Sequence, residues 1–273
     1  MTTRSVDPVV ALLDEEWGAI YALARELADA EWDLPSECPG WSVRDLVAHM
    51  IGTESSLLGA PAPAPLVDLP AFVHNPVGAG NEAWVVPRRS LPAAQVVEEF
   101  RSVTARRLEE MRAWPEERFA VVGPSPVGQV PYREYMRVRI MDCWVHEQDM
   151  RVATGRPGHD TGPVARLALD RLASAMSYVV GKQAGAPEGS CVRFAFRGPV
   201  LERLDVAVRD GRAAVADAAA EVVSAELDLD DETFWRLACG RVSGPAARDA
   251  GLVAVSGDVD LAHRVLDAMS FMI

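Results

Sequence analysis

The sequence has few cysteines and almost no lysine. Its four cysteines, Cys38, Cys143, Cys191 and Cys239, form no CxxC pair and no tight cluster. A disulfide framework and a four-thiolate zinc site are therefore not expected. Lys182 is the only lysine, so arginine carries nearly all of the positive charge. Arginine and alanine codons are GC-rich, so this composition indicates a high-GC bacterial genome and says nothing about the fold.

Excess positive charge and long apolar runs are also missing. The 27 Lys and Arg residues against 40 Asp and Glu give a net charge of −13. Nucleic acids and anionic membranes select basic surfaces, so neither is expected as a partner. No apolar run approaches the ~18 residues of a membrane span, and the first residues contain acids where a signal peptide needs an apolar core. We therefore expect a soluble cytoplasmic protein. GxSxG, P-loop and GxGxxG motifs are absent as well, so the common hydrolase, NTPase and dinucleotide signatures are missing.

The first part of the chain has the apolar spacing of helices. Its 273 residues suggest one or two domains. Ser42 and Asp45 have the form of a capping box and place a helix start near Val43. The connection 60–90 contains too many Pro and Gly residues for regular structure, and we expect a loop there. The predicted helices cover residues 6–30, 43–59, 92–113 and 131–154.

The last part of the chain changes to a mixed pattern. After a linker over 155–163, a helix is expected over 164–184. Alternating apolar residues then predict strands, and Asp210-Gly211 predicts a hairpin turn. The predicted strands are 191–196, 204–209 and 226–230, and helices follow at 231–239 and 258–270. We expect an α+β protein with a metal-binding four-helix bundle over 1–158. A smaller α+β domain with an antiparallel sheet is expected over 159–273.

The helix over 131–154 carries unusual acids. Its apolar arc consists of Val138, Met141, Val145 and Val152. Asp142 and Asp149 fall in or beside this arc, with Arg139 at the edge and Glu147 on the opposite side, where solvent is expected. An unpaired acid on a buried face is costly, so these acids call for a partner. Asp142 and His146 are four residues apart and point the same way, which is a spacing that helical metal ligands use. The same spacing also occurs in simple helix-stabilising pairs.

A third ligand must come from another helix. His49 lies on the inward face of the helix that begins near Val43, and a bundle can bring such side chains together around an ion. Cys143 could replace Asp142 as a ligand, although a free Cys is more often a small core residue. The remaining histidines are expected in a loop or at the surface: His74, His159 and His263.

Two segments resemble a known family. The stretch CPGWSVRDLVAHM, ending around His49, and the stretch DCWVHEQDMR, which starts at Asp142, resemble the two signatures of the mycothiol-dependent maleylpyruvate isomerase family. The first part is also similar to DinB-like metal-binding four-helix bundles. The last part, with LACGR and GDVDLAHRVLDAMSF, is similar to a small domain that resembles sterol carrier proteins. The resemblance covers nearly the whole chain.

The resemblance implies a divalent metal, zinc or another ion such as nickel, held by His49, Asp142 and His146. The isomerase has Glu where this chain has Asp142, and the shorter side chain would move the ion. The implied function is that of a mycothiol-dependent isomerase or S-transferase, in which the metal activates the cofactor thiol to attack a small electrophile. Arg139 and Arg241 are candidates for binding substrate or thiol-cofactor groups. Arg139 could instead pair with Asp142, and Arg241 could be a surface residue at a helix end.

Two other functions fit the same residues. A metal with an open position can activate water, which would make the chain a hydrolase. A sterol-carrier-like domain could instead hold an apolar small molecule without catalysis. The expected partners are a small-molecule electrophile and a low-molecular-weight thiol, and the chain is expected to be a monomer or a homodimer.

Overall fold

The computed structural model describes residues 7–216 and 219–272 and divides between Val164 and Ala165 into two compact units. The predicted domain boundary, between residues 158 and 159, lies a few residues earlier, inside the first unit. Among the described helices, none combines the length and the apolar character needed to cross a lipid bilayer.

The first unit is built on four long helices, as predicted. Helices α1 and α2 each contact both α4 and α6, which gives a four-helix bundle. Short elements connect these helices, including a 3₁₀ turn over Asp29–Asp33 and another over Val86–Arg88. The helices of this unit are α1 (Pro8–Glu26), α2 (Val43–Leu57), α3 (Pro76–Val85), α4 (Ala93–Ala113), α5 (Glu116–Phe119) and α6 (Tyr132–Thr154).

Local sequence signals set the ends of the two helices that matter most here. The capping box predicted at the start of α2 is confirmed, because Ser42 accepts from the Asp45 backbone N–H and the Asp45 carboxylate accepts from that of Ser42. Helix α6 ends at Gly155, whose φ of +64° closes it in the left-handed conformation. These two ends fix the registers in which α2 and α6 face each other.

Two connections in the first unit contain regular structure that the sequence analysis did not predict. The connection 60–90 was expected to be a loop, but it contains α3, which Asn75 caps and Pro76 opens. Proline at the first helical position favours a helix start, so its presence did not exclude one. The break before α6 contains a hairpin of β1 (Val122–Ser125) and β2 (Gly128–Pro131).

The second unit combines a five-stranded sheet with short helices, so the predicted α+β class is confirmed. The strands follow the order β5-β4-β3-β6-β7, and β3 pairs with β6 in parallel. The other three pairings between these described strands are antiparallel. The strands are β3 (Cys191–Phe196), β4 (Arg203–Arg209), β5 (Arg212–Val215), β6 (Ala225–Leu229) and β7 (Ala254–Gly257).

The helices of the second unit only partly follow the prediction. The helix expected over 164–184 is broken after Ser174 and continues as a short turn and a π-helical segment, Val179–Gln183. Strand β7 and helix α10 were not predicted, because each has six residues or fewer and little periodicity. The helices are α7 (Gly162–Ser174), α8 (Met176–Tyr178), α9 (Asp231–Ala238), α10 (Gly244–Asp249) and α11 (Val259–Asp267).

Candidate metal centre

Helices α2 and α6 bring the three predicted ligands together. The Nε2 atom of His49 lies 3.2 Å from Oδ2 of Asp142. The Nε2 atom of His146 lies 3.8 Å from Oδ1 of the same carboxylate. One ligand atom from each residue lies within 4.8 Å of the other two. The donor set is two imidazoles and one carboxylate, which suits zinc and other divalent transition metals.

The two imidazoles are buried, and the carboxylate of Asp142 is partly exposed. His49 and His146 are 5% and 7% exposed, whereas the Asp142 side chain is 25% exposed. The Trp41 ring borders both imidazoles, with its centroid 5.2 Å from that of His49 and 6.1 Å from that of His146. If these three residues bind an ion, the partial exposure of Asp142 leaves room for a further ligand, as in catalytic zinc sites.

A buried acid holds Trp41 in this place. The indole Nε1–H of Trp41 donates to Oε2 of Glu82 on α3 at 2.9 Å. Glu82 is fully buried and also accepts from the guanidinium of Arg89 at 2.7 Å. Arg89 donates in turn to Asp45, the acid of the α2 capping box. The unpredicted helix α3 therefore supplies the support for one wall of the centre.

A buried chain of charges fixes the Asp142 carboxylate. Arg139 donates to Oδ2 of Asp142 and, through Nε, to Oε1 of Glu54 at 3.0 Å. The second oxygen of Glu54 accepts from Nε of Arg107 at 3.1 Å. Burial opposes the ionised form of Asp142, but Arg139 and the two histidines outweigh it and hold the pKa of this carboxyl well below its usual range. Asp142 is therefore anionic, as a metal ligand must be.

The two imidazoles differ in what favours their metal-binding form. The Nδ1 atom of His146 donates to Oδ2 of the fully buried Asp149 at 3.2 Å, which leaves Nε2 directed at the centre. Burial lowers the pKa of His49, although the nearby Asp142 partly offsets this effect, so the ring favours its neutral, ligating form. Within the described chain, Nδ1 of His49 is buried without a hydrogen-bond partner. Asp142 is thus the group that orients the His49 ring.

Cys143 lies beside the centre but is a poor ligand candidate. Its side chain is fully buried, and its Sγ accepts from Nη2 of Arg139 at 3.5 Å. Burial raises the pKa of the Cys143 thiol well above its usual value, so the thiolate that a metal requires is strongly disfavoured. The structure therefore favours Asp142 over Cys143 as the third ligand.

The two predicted arginines lie in different units. Arg139 is 4% exposed, and its donors face Glu54, Asp142 and Cys143. These contacts favour pairing with Asp142 over direct binding of a substrate anion. Arg241 follows α9 in the second unit, where its Nη1 donates to the backbone carbonyl of Cys239 at 2.9 Å. A role for Arg241 in substrate binding stays a prediction.

Three expectations about exposure are wrong. Glu147 was placed on the solvent side of α6 but is fully buried, where it accepts from Arg151 and from His159. His159 was expected at the surface, yet its side chain is only 16% exposed. Val152, placed on the buried arc, is exposed. Helix α6 contacts neighbours on more than one side, so a single buried face did not describe it.

Glu54, Arg107 and Trp41 were not predicted to support the site. Glu54 lies one turn after the buried Met50, so an acid at a core-facing position of α2 was the available signal. Trp41 belongs to the motif that carries the resemblance, but its contact with both histidines depends on α3. No sequence pattern indicated the pairing of Arg107 on α4 with Glu54 on α2.

Comparison with known families supports the resemblance. Residues 13–151, just over half of the chain, match the family model of the mycothiol maleylpyruvate isomerase N-terminal domain. Two uncharacterized proteins of Mycobacterium tuberculosis, from strains CDC 1551 / Oshkosh and ATCC 25618 / H37Rv, are each 29% identical over 170 residues. The match covers 61% of this chain and only 61% of each relative.

Solved structures show the same fold over nearly the whole chain. Crystal structures of the mycothiol-dependent maleylpyruvate isomerase and of a mutant of it superpose with TM-scores of 0.60 and 0.61. Each match covers 94% of this chain and 96% of the other, at 19% identity. The residues that match the family model, 13–151, include His49, Asp142 and all of α6 up to Arg151. The chain belongs to the mycothiol maleylpyruvate isomerase N-terminal domain family.

Proposed function

We propose that this chain is a metal-dependent enzyme that uses mycothiol, or a closely similar thiol, as an isomerase or S-transferase acting on a small electrophile. The observation that carries the proposal is the convergence of His49, Asp142 and His146 beside a solvent-exposed face. The family and its isomerase fold support the thiol chemistry. We also keep the expectation of a cytoplasmic location as part of this proposal.

The residues of the chain fit a divalent ion and prepare its ligands. Asp142 is held ionised by Arg139, and Asp149 fixes the tautomer of His146 so that Nε2 faces the centre. A divalent ion bound there would supply a Lewis acid that keeps an incoming thiol in its thiolate form at neutral pH. Trp41 covers the two imidazoles with an apolar ring and limits the approach of water from that side.

The cysteines of the chain are not needed for this chemistry. Cys143, the thiol beside the three proposed ligands, is fully buried, and its Sγ faces Arg139. The attacking sulfur would then come from the cofactor.

Mycothiol binding with and without metal tests the proposal. Calorimetric titration of the metal-loaded chain should show mycothiol binding that chelator treatment abolishes and that added Zn²⁺ restores. His146→Ala should lose this binding and one equivalent of metal per chain, whereas His74→Asn, in the exposed part of the 60–90 connection, should keep both.

Two results would count against the proposal. Mycothiol binding of equal strength in the chelated protein would mean that the thiol does not use the metal. Turnover of a test electrophile or ester at the same rate without any thiol would favour the hydrolase, in which the open position holds water.

A further inference from the structure

A second cluster of possible ligands lies on the opposite side of α6. Glu16 on α1, Glu147 on α6 and His159 in the segment after α6 each place one ligand atom within 4.8 Å of the other two. His159 Nδ1 lies 2.6 Å from Oε2 of Glu147 and 3.6 Å from Oε2 of Glu16. The cluster shares no residue with His49, Asp142 and His146.

The buried side chain of Glu16 is the observation that points to a bound cation. Its side chain is fully buried, and within the described chain neither of its carboxylate oxygens has a hydrogen-bond partner. A buried polar group without a partner is costly, and a buried carboxylate is costlier still. Burial raises the pKa of Glu16 well above its usual range, and the charge of Glu147 adds to that effect. Glu16 therefore holds a proton next to Glu147, and a divalent cation between the two acids would displace that proton and bind both carboxylates.

The other two side chains of the cluster, Glu147 and His159, also have charged neighbours. Arg151 donates to Oε1 of Glu147 at 2.8 Å, which leaves Oε2 toward the cluster. Glu15 lies 3.6 Å from Nε2 of His159, on the side of the ring away from Glu16 and Glu147. A donor behind a carboxylate is a usual outer contact of a metal ligand, and Glu15 lies just beyond hydrogen-bond distance of the His159 ring.

The backbone of His159 is also held in an uncommon conformation. Its φ is +54°, which few residues other than glycine adopt. Trp144 Nε1 donates to the His159 carbonyl at 2.8 Å, and Gln148 donates to the same oxygen at 3.4 Å. Two side chains of α6 thus hold His159 over the acids, and strain maintained in this way is often found at functional sites.

We propose that Glu16, Glu147 and His159 form a second divalent-metal site, distinct from the centre of the proposed function. Two carboxylates and one imidazole suit a borderline cation such as Zn²⁺ or Co²⁺. Glu16 and Glu147 are fully buried and His159 is 16% exposed. An ion bound by these residues would tie the segment after α6 to α1.

Counting cobalt separates the two sites. The full-length protein is stripped with a chelator, dialysed against Co²⁺, and analysed for metal per chain. The wild type should bind two equivalents, and Glu16→Gln, His159→Asn and His146→Ala should each bind one. The double variant His146→Ala/Glu16→Gln should bind none. His74→Asn should bind two, as a histidine control outside both clusters.

Thermal unfolding provides a second readout that does not depend on activity. Co²⁺ should raise the Tm of His146→Ala, because an ion that binds only the folded state stabilises it. The same addition should leave the Tm of His146→Ala/Glu16→Gln or His146→Ala/His159→Asn unchanged. Two alternative double variants keep the test usable if one of them fails to fold.

The possible outcomes distinguish this site from the first. No cobalt in His146→Ala, with one equivalent in both the wild type and Glu16→Gln, would overturn the second site and leave the first standing. One equivalent in His146→Ala and in the wild type, with none in Glu16→Gln, would support the second site and remove the first. Retention of one equivalent by His146→Ala/Glu16→Gln would overturn the second site, since the ion would then be bound elsewhere.

Discussion

Replacing Glu54 with Gln tests whether the buried charges behind Asp142 act as one unit. Glu54 is fully buried and accepts from Nε of Arg139 and from Nε of Arg107, which are 4% and 0% exposed. Glutamine keeps the shape but has one oxygen and one NH₂ group. One of the two guanidiniums would therefore face a donor, and the negative charge between them would be lost.

The size of the effect follows from the burial of all three groups. Breaking a buried ion pair by removing one partner costs about 3–5 kcal/mol. Arg139 keeps Asp142 and Arg107 keeps Tyr132, so we expect the lower end, about 3 kcal/mol. The metal affinity of the first centre should also fall roughly tenfold, as expected when a group that orients a ligand is disturbed.

Urea unfolding followed by tryptophan fluorescence measures the loss. Glu98→Gln is the matched control, because Glu98 pairs with Arg101 on the exposed face of α4. Exposed pairs contribute little, so this variant should keep the wild-type midpoint. A loss below about 1 kcal/mol for Glu54→Gln, within the range of an ordinary hydrogen bond, would refute the reasoning that these charges are mutually dependent.

Three further predictions concern single residues. Asp149→Asn should weaken metal binding roughly 10- to 100-fold in a competition assay, because the carboxylate that fixes the His146 tautomer is lost; unchanged affinity would show that Asp149 does not orient His146. Cys143→Ser should keep its metal and its thiol-dependent turnover and should lose only about 1 kcal/mol on urea unfolding, from burying a more polar hydroxyl; loss of metal would redraw the ligand set. Asp205→Asn should destabilise the second unit at pH 7, because hydrogen bonds from Arg193 hold the pKa of Asp205 below its usual value. This contribution is complete above the unfolded pKa of about 3.9 and is lost as the pH falls through the lower folded pKa. The two proteins should therefore converge in urea midpoint as the pH falls below the folded pKa of Asp205, and a difference that stays constant down to that pH would contradict the assignment.

Residue spacing was sufficient to place Asp142, His146 and His49 close together, and their role as metal ligands stays a prediction. Asp142 and His146 lie one turn apart on a long regular helix, and the capping box at Ser42 fixed where α2 begins. His49 was predicted on the inward face of α2, and the structure confirms that it is buried there. Local geometry of this kind is set by neighbours along the chain, and these are visible in the sequence.

The groups around the ligands depend on contacts between distant segments. Glu54 is placed by Arg107 on α4, and Trp41 by Glu82 on α3. The exposure of Glu147 was wrongly predicted because the segment after α6 returns along the helix and places His159 on it. Periodicity describes one buried face, and it cannot show that a second face is covered by a loop.

The start of α3 could have been predicted from two adjacent residues of the sequence. Asn75 followed by Pro76 is a typical helix start, with a side-chain cap and a proline at the first position. The high proline and glycine content of residues 60–90 obscured it. Composition over thirty residues was a poorer guide here than two adjacent residues with a defined role.

The most direct test of the central claim is the visible and near-ultraviolet spectrum of the cobalt-loaded protein during titration with mycothiol. The account predicts a thiolate-to-cobalt charge-transfer band that grows to one thiol per chain in the wild type and in Cys143→Ser and is absent in His146→Ala. A titration without such a band in the wild type, or with the same band in His146→Ala, would contradict the claim that His49, Asp142 and His146 hold the metal that activates the thiol.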